Sequence, residues 1–252
     1  VVSAGHYRRA FMTPYLAWME WRRLMRTPLP WVIFSLSLSL LSWQFLATLE
    51  IFNGMQSSNR SLGLSHHLGL QLYGLASVLI LIITPIITIR SFSESFRDGS
   101  YALLSSAPLS NLSILTGKFL AILMFQFLFI LIPLLLCVSL SSGIQLDFGL
   151  LFAATLGLLL LSGAFTAIGL YFSTLNENPG IAAAGSYGLL LLISLLDQNT
   201  EGGSFMHWLA WPSHYLDLQL GLIRFGDLAY FLLLILFFLG LALYRLDKRR
   251  RG

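Results

Sequence analysis

Six stretches of continuous apolar residues divide the chain, at about 31–52, 68–89, 119–140, 148–175, 181–196 and 228–244. None alternates polar with apolar positions, so each predicts a helix rather than a barrel strand. In lipid only helices and closed barrels satisfy every backbone polar group. A helical crossing needs about 20 apolar residues, and the fifth stretch falls short of that with 16. It fits a tilted helix, a re-entrant one, or one lengthened by the small residues that begin it. The pattern therefore predicts an all-α integral membrane protein, a single transmembrane domain over residues 1–252 with six crossings and short loops.

The polar intervals carry the rest of the information. Segment 90–111 reads RSFSESFRDGSYALLSSAPLSN, and no other interior segment combines charge, helix formers and a proline stop. Ser91 or Ser93 is a candidate N-cap, Glu94 complements a helix's positive end, Gly99 is a break, and Ala107-Pro108 ends a second turn. Phe96, Tyr101, Leu103 and Leu104 are unusually apolar for a free loop. With Glu94, Arg97 and Asp98 setting register they fit a groove on another protein; a helix lying on lipid headgroups fits these residues equally.

Residues 11–27 predict an amphipathic interfacial helix from about Pro14, with Phe11, Tyr15, Trp18 and Met25 near one face and Glu20, Arg23 and Arg26 largely elsewhere; a frayed basic terminus is the alternative. The arginines in this region interrupt any apolar core, which argues against a cleaved signal peptide. Loop 197–227 opens with a polar DQNTEGGS run and continues with Trp208, Trp211 and Tyr215, residues that favour the headgroup level. A short re-entrant or interfacial helix pair is expected there, either an outer gate or an anchor. The closing RLDKRRRG is a basic tail suited to anionic lipid.

Composition sharpens the class. Of 252 residues, 56% are hydrophobic and 10% charged, and mean hydropathy is +0.78, which excludes an ordinary soluble domain. Placing both termini in the cytoplasm leaves only Arg60 and Arg224 of the 15 lysines and arginines outside; the positive-inside rule thus predicts that orientation and an even number of crossings. The single cysteine, Cys137, excludes an intrachain disulfide.

Little in the chain points to chemistry of its own. The six stretches hold no Asp, Glu, Lys, Arg or His, with Glu50 the nearest exception, which argues against a proton-coupled carrier. His66, His67, His207 and His214 show no metal-ligand spacing. Gly117-Lys118 invites comparison with a phosphate-binding loop, but Leu112 stands at its first glycine and Phe119 at its Ser or Thr. Lys118 then reads as a snorkelling lysine at a helix start. Gly180, Ala184 and Gly188 recur every four residues, as do Gly163 and Ala167, and suit close helix contacts, within one subunit or between two.

Three groups of residues carry a family resemblance. The first is Glu94, Asp98-Gly99-Ser100, Leu103-Leu104, Ser106-Ala107-Pro108-Leu109-Ser110 and Gly117-Lys118-Phe119. The second is Gly169-Leu170-Tyr171-Phe172-Ser173-Thr174-Leu175. The third is Ser213-His214-Tyr215, Gly221-Leu222-Ile223 and Asp227-Leu228-Ala229-Tyr230-Phe231. Together they resemble the permeases of type 2 ABC exporters, most closely the gliding-motility GldF-like branch. Ser95-Phe96 departs from the further charge that the family usually carries there.

The resemblance implies a multi-pass protein of the bacterial inner membrane, paired with a second copy or a similar permease. Segment 90–111 would be a coupling helix seated on a cytoplasmic ABC ATPase subunit, with contacts from Glu94, Phe96, Arg97, Asp98, Gly99, Tyr101, Leu103 and Leu104. ATP and magnesium would bind that partner, so this chain carries no catalytic, cofactor or metal site. An auxiliary periplasmic or membrane protein is a further possible partner, and nucleic acid is not. The alternatives are an ATPase-independent carrier or channel, or a membrane accessory protein.

Overall fold

The computed structural model describes residues 2–54, 63–99, 110–141, 146–196 and 208–251, with side chains from Pro14 to Arg250. These residues form eight helices and no strand: α1 (Val2–Met25), α2 (Pro28–Gly54), α3 (Leu64–Arg97), α4 (Asn111–Ser139), α5 (Phe148–Leu175), α6 (Pro179–Leu195), α7 (Trp211–Gln219) and α8 (Phe225–Arg251). Helices α2, α3, α4, α5 and α8 are long and apolar enough to cross a membrane. Helix α6 is apolar but shorter, at 17 residues.

Helix α5 is the axis of the bundle, buried along most of its length and packed by α3, α4, α6, α7 and α8. Lipid tails are as apolar as leucine, so close packing rather than hydrophobic transfer holds such helices together, and small residues permit it. Gly169 of α5 lies so near Thr88 of α3 that any Cβ would overlap the threonine side chain. A Cβ on Gly185 of α6 would come within 2.5 Å of Phe172. Gly169→Val should therefore overpack the α3–α5 contact and cost about 1–3 kcal/mol, read as a lowered unfolding midpoint in detergent. Gly240→Val, where a Cβ would meet nothing within 4 Å, should leave that midpoint unchanged.

Three local expectations are corrected. Neither Ser91 nor Ser93 caps a helix, because α3 runs unbroken through both to Arg97 and stops at Asp98 and Gly99, the latter at φ 69°. Helix α1 begins well before Pro14, and the side it lays on α4 carries Leu16 and Ala17, beside Gly117. Tyr15 and Trp18 instead face away from the bundle, since a helical periodicity of 3.6 puts them on the side opposite that contact. In loop 197–227, Trp211 and Tyr215 are buried inside the bundle rather than held at a surface, and only Trp208 is exposed.

Those last two residues belong to α7, which lies along α5. Trp211 packs edge-on to Phe165, Leu218 touches Gly157, and Gly221 meets Leu150. The Tyr215 hydroxyl donates to the Tyr73 carbonyl at 3.0 Å, and the Tyr73 hydroxyl lies 2.9 Å from Thr155 Oγ1. His214 bridges Asp227 Oδ1 at 2.6 Å and the Trp208 carbonyl at 2.8 Å, stacked on Tyr230.

Candidate functional site: the charged end of the bundle

The C-terminal turn of α3, the first turn of α4, the α5–α6 turn and the last turns of α1 and α8 meet at one end of the bundle. Pro85 lies inside α3 with no N–H to donate, and Thr84 and Thr88 direct their hydroxyls to the Ile80, Thr84 and Pro85 carbonyls around it. One turn later the Ser173 hydroxyl of α5 inserts against the α3 backbone. It accepts from Phe92 N at 3.0 Å and Ser93 N at 3.1 Å and donates to Ile89 O at 3.0 Å. Its one proton and both lone pairs are thereby used. The Ser93 hydroxyl returns a bond to Ser173 O at 3.1 Å.

Beyond that plug α3 is held from every side. Lys118 of α4 pairs with Glu20 of α1 at 2.8 Å and sits 5.3 Å from the Phe92 ring centre. Lys118 is 3% exposed and Glu20 22%, so the lysine does not snorkel; a carboxylate comes to it instead. The Arg249 guanidinium of α8 lies 3.9 Å over the Phe96 ring and also pairs with Glu177. Asn111 Nδ2 donates to Asp247 Oδ1 at 2.7 Å, tying the start of α4 to α8. Ser110 caps α4 by accepting from Ser113 N.

The residues expected at a coupling surface separate accordingly. Glu94 makes an i,i+4 pair with Arg90 at 3.4 Å on a half-exposed face. Phe96 is buried between Phe92 and Arg249, whereas Arg97, Asp98 and Gly99 form the exposed tip. Tyr101, Leu103 and Leu104 lie outside the described residues. On α6, Gly180, Ala184 and Gly188 are all exposed and share a stripe that no other helix of the described chain covers. Gly163 and Ala167, the parallel pair on α5, are buried, with Gly163 against Ile235 of α8.

Sequence reasoning overlooked Gln126, the lone amide in the third apolar stretch. An amide in lipid needs partners, and this one has two: it donates to Thr84 Oγ1 at 2.7 Å and accepts from Thr166 Oγ1 at 2.9 Å, joining α3, α4 and α5. Gln126→Leu should cost about 1–3 kcal/mol, two interhelical hydrogen bonds at about 0.6–1.7 kcal/mol each, and no more, because both threonines keep their carbonyl partners Ile80 and Ser162. A detergent unfolding titration measures it.

A family model described as ABC-2 family transporter protein matches residues 34–197, which run from α2 through α6 and amount to more than half of the chain. The chain belongs to the ABC-2 transporter family. It is thus the membrane component of an ABC transporter, a multi-pass permease and not the nucleotide-binding subunit, and the family implies association with an ABC ATPase. The match takes in the whole α3–α4 connection, including the plug residue Ser173 on α5 and the small-residue stripe on α6; α7 and α8 lie beyond it. No curated protein matches the chain. Among the described residues no group of three or more His, Cys, Asp or Glu side chains could hold a metal.

Proposed function

We propose that this ABC-2 permease is the membrane half of an exporter, moved by a separate ATPase that presses on the connection between α3 and α4. The observation that carries the reading is the tip of α3. Arg97, Asp98 and Gly99 are exposed where the helix ends, while Ser173 and the Phe96–Arg249 contact tie that same end into the core. Such a lever is accessible to a partner at its tip and rigid behind it. ATP and magnesium bind the partner, and its closure supplies the differential affinity that any driven change of state requires. Tyr101, Leu103 and Leu104, next along the chain, complete the contact with Glu94 at its flank.

The orientation that follows puts both termini in the cytoplasm of a bacterium's inner membrane, with six crossings counting α6. The basic residues gathered at the α3 tip, Lys118 and the α8 terminus support it. At 1.5 Å per residue α6 spans about 26 Å, close to the roughly 30 Å of hydrocarbon. Helix α7, lying beside α5 from Leu150 to Phe165, acts as a re-entrant element on the outer side. Two permeases pair, with the α6 stripe of Gly180, Ala184 and Gly188 at their contact. The GldF-like branch remains the nearest relative proposed, on the motif residues alone.

Purification of the native chain in mild detergent tests this. An ATPase subunit should accompany it and be lost from the Arg97→Asp, Leu103→Asp, Leu104→Asp triple variant, with Gly188→Leu releasing the second permease but not the ATPase. Transport that persists without any ATPase would instead make the protein a carrier or channel. Labelling of a Gly99→Cys thiol from the cell exterior would reverse the orientation.

A further inference from the structure

A cleft of about 140 Å³ opens between α1, α2, α3 and α4 at the charged end. Glu20, Arg23, Arg90, Glu94 and Lys118 line it together with apolar residues that include Leu29 and Ile122. Glu20 pairs with Lys118 and Glu94 with Arg90. Arg23 has no carboxylate partner among the described residues, and it lies near enough to Lys118 for the two cations to repel. The cleft therefore keeps one positive charge in excess. Pro30 lines both this cleft and a second, almost wholly apolar groove of about 430 Å³ between α2 and α4. That groove is walled by Trp31, Phe34 and Leu38 on one side and Phe125, Leu128 and Leu135 on the other. Trp31 is 59% exposed and its indole is fixed by a bond to the Met25 carbonyl at 2.9 Å.

We propose that cleft and groove together bind one anionic phospholipid, its phosphate held by Arg23 and Arg90 and an acyl chain laid between α2 and α4. The dimensions fit: Phe125 to Leu135 rises about 15 Å at 1.5 Å per residue, the length of one leaflet's share of the roughly 30 Å hydrocarbon core. The chemistry fits as well. Guanidinium groups suit phosphate oxygens in a bidentate arrangement, each methylene laid in the groove adds to binding, and the surplus charge selects a net-negative headgroup over a zwitterionic one. A soluble phosphate compound would use the cleft and leave the groove idle. The site needs only a membrane-embedded chain and does not depend on the ATPase mechanism above.

The full chain in nanodiscs of phosphatidylcholine, doped with phosphatidylglycerol brominated on its acyl chains, provides the test. Quenching assigned to Trp31 by difference from Trp31→Phe should saturate at a low fraction of the brominated phosphatidylglycerol, and only weakly with brominated phosphatidylcholine. Arg23→Ala should weaken it about fivefold, the share of one surface cation near anionic lipid, and Arg23→Lys should keep most of it. Equal quenching by both lipids, or none lost in Arg23→Ala, means ordinary annular lipid and overturns the site. So does displacement by inorganic phosphate as effective as by unlabelled phosphatidylglycerol, which makes the ligand a soluble anion. Efficient disulfide linkage between Leu128→Cys chains in the same discs would make the groove a contact between copies and overturn it too.

Discussion

Glu20→Ala should lower the unfolding free energy by about 3–5 kcal/mol, because it strands the ammonium of Lys118 in a site that is 3% exposed. At this chain length that corresponds to a melting shift of about 10 °C. Lys118→Met should cost less, since the carboxylate left behind is 22% exposed and reaches water. The double variant Glu20→Ala, Lys118→Met should recover most of the loss, as apolar replacement of a buried pair commonly does. Additive single effects in that cycle would mean the two groups do not act as a pair. The size of the effect follows from position: this bond joins α1 to α4 and roofs the Phe92 ring of α3, so its loss frees α1 and the base of the α3 tip together.

The five long apolar helices were legible because lipid imposes a simple rule, and runs of apolar residues obey it. Helix α5 matches its apolar stretch from Phe148 to Leu175 at both ends. What the pattern could not give was which polar residues end up inside. Composition treats Glu20 and Lys118 as surface charges, yet they meet across 98 positions of sequence, a pairing that no local period encodes. Phe96 read as a docking residue because it sits in a polar segment, but Arg249 from the far end of the chain covers it. The start of the coupling segment was misread for a related reason. Serines look like caps locally, and here Ser91 and Ser93 stay inside a helix, the first accepting at its carbonyl from the Ser95 hydroxyl and the second bonded to Ser173. The spacing of Gly180, Ala184 and Gly188 was visible, but only packing distinguishes that exposed stripe from the buried pair Gly163 and Ala167.

Replacing Ser173 separates the two jobs of that contact. Ser173→Val withdraws a hydroxyl that makes three bonds to the α3 backbone between Ile89 and Ser93; at about 0.6–1.7 kcal/mol for each interhelical bond in a membrane, the chain should lose about 2–5 kcal/mol. Ser173→Thr keeps the hydroxyl and should lose under about 1 kcal/mol, provided the added methyl finds room. The functional consequence is larger than the stability cost implies. Gly169 and Ser173 stand one turn apart on α5 and address Thr88 and Ser93 of α3 in the same order, so they fix both the spacing and the register of the two helices. If the ATPase presses on Arg97 as proposed, that push reaches α5 as a rigid displacement only while this register holds. In the reconstituted complex Ser173→Val should therefore retain ATP hydrolysis while transport falls about tenfold or more, a barrier change of at least about 1.4 kcal/mol. Equal losses of hydrolysis and transport would point to simple unfolding, and unchanged transport would show that force reaches the bundle by another route, with α4 and its Asn111–Asp247 tie to α8 the next to examine.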